Sequence, residues 1–143
     1  MELIRIRLIL NDDLCDKLCE AAKNKAKELN IDISFAICDA NGQLLLFRRF
    51  GDAPIISTTL VPNKAYTSAV MFMPTEKLKK LCADGGPLMG LETMDSKITF
   101  ISGGYPLFAD NMCIGAIGVG GGRNDDDSII AEHVLGEFHR LTK

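Results

Sequence analysis

Lys64 stands among small residues, Ala65, Ser68 and Ala69, in a stretch with helical spacing. An ammonium carried over small side chains can meet a carboxylate or a phosphate at the wall of a cleft. The alternatives are a solvated helix lysine or an internal ion pair with Asp39 or Asp52. Arg48 and Arg49 close an apolar run, so one points to each side of the strand that this run predicts. The planar guanidinium of Arg49 can clamp a carboxylate, or form a structural salt bridge to Asp52 or to a neighbouring subunit. Gly103-Gly104 and Gly120-Gly121-Gly122 offer bare main chain to a close neighbour. The second run leads into a helix start already crowded by Asp125, Asp126 and Asp127, which favours tight turns and capping over anion binding there. Gly103-Gly104, followed by Tyr105-Pro106, is the better pocket wall.

The remaining reactive side chains are scattered. The five cysteines are odd in number and sit in apolar contexts, which suits reduced core thiols. Cys15 and Cys19 lie one helical turn apart, yet a zinc site wants about four ligands and no other Cys/His pair has ligand spacing. His133 and His139 fall on different faces of the last helix, so they are no metal pair, and His133 reads as a partly buried or interface residue. Met71, Met73, Met89, Met94 and Met112 line an apolar cavity or fill the core. No nucleophile–base–acid set emerges, and no phosphate-cradling loop.

These residues must be placed by one domain spanning 1–143. A hydrophobic fraction of 47% and a charged fraction of 24% suit an ordinary globular protein. Basic residues form no stripe, so a nucleic-acid partner is not expected. No apolar run approaches the length of a membrane span, and the opening residues lack the core of a signal peptide, which predicts a cytoplasmic protein.

Periodicity supplies the elements. Residues 2–10 alternate Ile4, Ile6 and Leu8 with Arg5 and Arg7, a strand pattern. Asn11 or Asp12 caps a helix with an apolar stripe through Leu14, Leu18, Ala22, Ala26 and Leu29. Strands over 31–38 and 43–50 flank the turn at Asp39-Ala40-Asn41-Gly42. The second of them is so apolar that both faces are expected to be covered. An imperfect helix is expected over 57–73, with Pro62 either in the first turn of a helix that starts near Leu60 or at a kink after a short turn, and a short helix follows over 75–81. Strands are expected over 97–102, 105–109 and 112–119. A last helix carries Ile130, Val134, Phe138 and Leu141 on one side. Hairpins separated by helices indicate an α+β domain with an antiparallel sheet.

Five motifs in order carry a resemblance: Asp39-x-x-Gly42; Arg49 with Asp52; residues 63–69, Asn-Lys-Ala-Tyr-Thr-Ser-Ala; Gly103-Gly104-Tyr105-Pro106-Leu107; and residues 114–122 with Asp127. The chain resembles the GlcG/HbpS-like family, also described as the heme-degrading domain family, from about Leu10 to Leu141. That family includes the C-terminal domain of PduO-type cobalamin adenosyltransferases and small OrfY-type proteins. The resemblance implies a profilin-like fold, a five-stranded antiparallel sheet with helices on both faces, and homo-oligomers from dimer to octamer. It implies heme, another tetrapyrrole or an anionic small molecule as ligand, in a setting of B12-dependent diol or glycolate utilisation. The implied ligand-binding set is Lys64, Arg49, Asp52, Gly103, Gly104, Tyr105 and Asp39. Relatives that bind heme can use a histidine of the first helix; here that helix has none, and Cys15 or Cys19 is the available replacement. The Val-Ser-Gly-Gly of the family is Val119-Gly120-Gly121-Gly122 here. A binding module is thus the first expectation. An enzyme using Lys64 as base or Schiff-base former with Arg49 as anion clamp is the second. A structural assembly partner is the third.

Overall fold

The computed structural model describes residues 3–123 and 125–143. The elements run α1 (Asp12–Glu28), β1 (Ser34–Asp39), β2 (Leu44–Arg49), α2 (Ser57–Met71), α3 (Thr75–Cys82), a single 3-10 turn, β3 (Gly104–Ala109), β4 (Met112–Gly120) and α4 (Asp126–Leu141). The strands form one antiparallel sheet in the order β2-β1-β4-β3. The α+β expectation holds, with helices on both faces.

Alternation sorts the layers. Phe35 and Ile37 of β1, with Ile117 and Val119 of β4, face the stripes of α1 and α4, and Leu18, Ala22, Ile130, Val134 and Phe138 bury against them. The intervening residues Ala36, Cys38 and Ala116 face α2, which answers with Val61, Ala65 and Ala69. Apart from Phe47 of the β2 edge strand, which packs against this cluster, the side chains on either side of that second contact are small, so α2 lies close to the strands. A Cβ at Gly118 would collide with the Val61 carbonyl oxygen and lie 3.0 Å from the Ala65 nitrogen. The start of α1 is fixed by the Asn11 side chain, which accepts from the Leu14 N–H at 2.8 Å. Asp39 has a comparable local task. Its Oδ1 accepts from the Asn41 and Gln43 N–H groups and shapes the β1–β2 turn.

Several expectations need correction. Among the described residues the sheet has four strands, not five. Residues 97–102 form turns and extended chain without a ladder, and residues 3–10 form no strand although their pattern suits one; residue 2 lies outside the described residues. The apolar β2 is an edge strand, and Leu44 and Leu45 are exposed rather than covered on both sides. The helix over α2 continues through Pro62, which stands beyond its first turn. Its opening turn is tightened by bonds of the i to i−3 type from Ser57, Thr58 and Thr59.

Candidate functional site

The Lys64 amine is buried, at 1% exposure. It donates to the Val119 carbonyl at 2.7 Å and to Asp127 Oδ2 at 3.3 Å. Its partner is therefore neither Asp39 nor Asp52. The amine lies against the Gly103–Gly104 bend: a Cβ at Gly103 would stand 2.9 Å from Nζ, and one at Gly104 would stand 2.5 Å from the Lys64 carbonyl oxygen. The diglycine thus lets the chain pass over α2. Gly103 also has φ +120, which a side chain would strain. Burial holds the lysine below its ordinary value, against the pull of Asp127 in the other direction.

Asp127 also accepts from the Gly122 N–H at 2.9 Å through Oδ1, and Asp126 accepts from the Arg123 N–H at 2.9 Å. These carboxylates close the glycine turn ahead of α4, as the capping alternative expects. The N-cap position itself, Asp125, makes no side-chain cap bond. The lysine, the glycine turn and the head of α4 form one buried junction between α2 and β4.

The other expected site residues lie apart from it. Arg49 is exposed and donates from Nε to the Ala53 carbonyl at 2.8 Å rather than to Asp52. Asp52 is exposed, and its own N–H donates to Asp32 at 2.9 Å. Tyr105 is buried, with its hydroxyl donating to Glu76 at 3.3 Å. His133 and His139 are both exposed, which corrects the expectation of a partly buried His133. The methionines share no cavity: Met89, Met94 and Met112 stand exposed on the surface.

A different group of residues converges where α1 meets the β2 edge. Asp16, Cys19, Glu20 and Lys23 of α1, with Leu46, Phe47 and Arg48 of β2 and Phe50, line an open groove of about 350 Å³. Arg48 lies over the Phe50 ring at 4.8 Å, a cation–π contact that fixes its guanidinium at the rim. Cys19 is half-buried; burial raises its thiol above the ordinary value, opposed chiefly by Arg48. Cys15 is different: it is buried in the core beneath α1, and burial with Asp12 and Asp16 pushes it up to about 11. One turn of helix therefore separates a core thiol from a groove thiol. Sequence reading missed Lys23 and Phe50; the i,i+4 spacing of Cys19 and Lys23 was the available signal.

The chain is thus a three-layer helix–sheet–helix domain with an open groove rimmed by cations. The chain belongs to the family described as haem degrading protein HbpS-like, whose model matches residues 10–135. It is similar to the corrinoid adenosyltransferase PduO of Citrobacter freundii, 36% identical over 127 residues, covering 88% of this chain and 38% of that protein. The ORFY protein of Klebsiella pneumoniae superposes with a TM-score of 0.91 at 26% identity, covering 97% of each chain. A PduOC:heme complex superposes with a TM-score of 0.85 at 32% identity, covering 90% of this chain and 94% of that one. Among the described residues no helix is long and apolar enough to cross a membrane.

Proposed function

We propose that the chain is a tetrapyrrole-binding module, with heme the first ligand, and that the groove between α1 and β2 receives it. The observation that carries this reading is the convergence of a partly accessible thiol, the Phe50 ring and two cations on one open groove. That set fits the group. Leu46 and Phe50 offer apolar surface to a flat macrocycle, Arg48 and Lys23 can pair with its carboxylates, and Cys19 is a soft donor of the type that heme iron accepts. Bound there, heme would supply a metal centre whose potential its ligand and surroundings set. The solved PduOC:heme complex shows that a relative of this fold takes heme. The corrinoid chemistry in the name of PduO makes cobalamin the natural competitor in the same assay.

The Lys64 junction gives less support to the reading in which that amine is a base or Schiff-base former. Both bonds of Nζ are internal, and the amine reaches a ligand only if the Gly103–Gly104 bend moves.

Hemin titration checks the proposal. The native chain should give a saturable Soret band. Cys19→Ser should shift the band and weaken binding about tenfold or more. Arg48→Gln should weaken it by about tenfold, the size of a lost charge-assisted hydrogen bond. Arg49→Gln, on the opposite side of the strand, should leave it unchanged. A band that neither groove variant alters, or no band at all, would refute the assignment.

A further inference from the structure

Residues 3–9 present an unusual surface. Leu3, Ile4, Ile6 and Ile9 are 87%, 87%, 92% and 81% exposed. They alternate with Arg5 and Arg7 in a pattern of period two, yet no ladder pairs them within the chain. The segment is rooted by Leu10, which is buried and approaches Gly115. Its root lies beside the β2 edge: Arg7, Leu8 and Ile9 share a groove of about 320 Å³ with Asp39 and Leu45.

We propose that residues 3–9 of one copy add as a strand to the β2 edge of a second copy. An edge strand leaves a row of N–H and C=O groups open to another chain. The two edges of this sheet differ as acceptors. β3 carries Pro106, which has no N–H to give. β2 has no proline, and Leu44 and Leu45 expose apolar surface at its opening half. Charge favours the same edge. Asp39 lies in the groove beside Leu45, and Asp16 and Glu20 line the groove beside Leu46, so carboxylates stand along the apolar half of β2. An arm with arginine at every second position suits that setting. Arg48 and Arg49 at the far end of β2 repel it and confine pairing to residues 44–47. Each copy both gives an arm and receives one, so a reciprocal exchange closes as a two-fold dimer. The strand pattern of residues 3–9, unused within one chain, is used between two.

The test measures solution mass and amide exchange on the full chain. The native protein should sediment as a dimer or larger, with the amides of residues 3–9 protected. An Ile4→Lys/Ile6→Lys variant should lower the mass about twofold and accelerate exchange of the arm about tenfold, with an unchanged circular dichroism spectrum. Leu45→Lys on the acceptor edge should do the same. If Leu45→Lys fails to fold, the arm variant decides alone, because its positions touch no core. A monomeric native protein overturns the proposal, as does an assembly whose mass and arm protection survive the arm variant. Arm amides protected only on adding phosphatidylglycerol vesicles would assign the segment to a lipid surface and overturn it equally.

Discussion

Gly118→Ala should destabilise the protein by about 3 kcal/mol, enough to lower the urea midpoint visibly while the helical content of any folded fraction stays native. The reason is the seating of α2. Its contact face is Val61, Ala65 and Ala69, and the strands beneath offer Ala36, Ala116 and Gly118. A methyl group on Gly118 meets the Val61 carbonyl and the Ala65 nitrogen, which are main-chain atoms and cannot rotate aside. Restoring ordinary contact means lifting the helix by about 1 Å along that face. That movement would also stretch the Lys64 bond to Val119, which spans the same interface. Gly136 is the matched control. Nothing lies within 4 Å of a Cβ built there, and alanine is the better helix former, so Gly136→Ala should stabilise by about 0.5–1 kcal/mol. Equal effects at the two positions would show that α2 does not sit as described.

The second large effect is expected at Asp127. Asp127→Asn keeps an oxygen for the Gly122 N–H but removes the charge facing Lys64. The ammonium would then stand at 1% exposure with the Val119 carbonyl alone, while the lost carboxylate was only 17% exposed. Breaking a pair in this way costs about 3 kcal/mol at neutral pH. The pH dependence distinguishes this cause from a loss of capping. Burial places the folded value of Lys64 below the unfolded 10.5, so over the interval between them the unfolded chain binds more protons than the folded one. Unfolding free energy therefore rises with pH across that interval. Without Asp127 the folded value falls further, and the rise begins at lower pH. Urea titrations from neutral pH upward should show the variant regaining part of its deficit, and Lys64→Met should abolish the lysine's part of the slope. A deficit independent of pH would place the loss in the glycine turn instead.

What was legible in the sequence was local. The stripes of α1 and α4 and the Asn-Gly turn each depend on residues within a few positions, and they stand as expected. What was not legible depended on partners distant along the chain. Lys64 and Asp127 are 63 positions apart, so an internal ion pair stood only among the alternatives, and with other carboxylates. The run Leu44 to Phe47 promised coverage on both sides, because apolar composition does not say whether a strand is central or at an edge. Cys15 and Cys19 were equivalent as types. Only the docking of α1 turns Cys15 toward Leu18 and Ala22 in the core and leaves Cys19 in the groove with Arg48. The diglycine read equally as pocket wall or tight passage, since both need bare main chain. In the fold it is the passage, packed on Lys64.

Mapping a diamagnetic heme analogue, gallium protoporphyrin, onto the amide spectrum of the isotope-labelled chain tests the binding account most directly. The account predicts saturable shifts centred on Cys19, Lys23, Leu46, Arg48 and Phe50, with the amides around Lys64, Gly103 and Gly104 undisturbed. Shifts centred on that buried junction, with the α1–β2 groove silent, would contradict it.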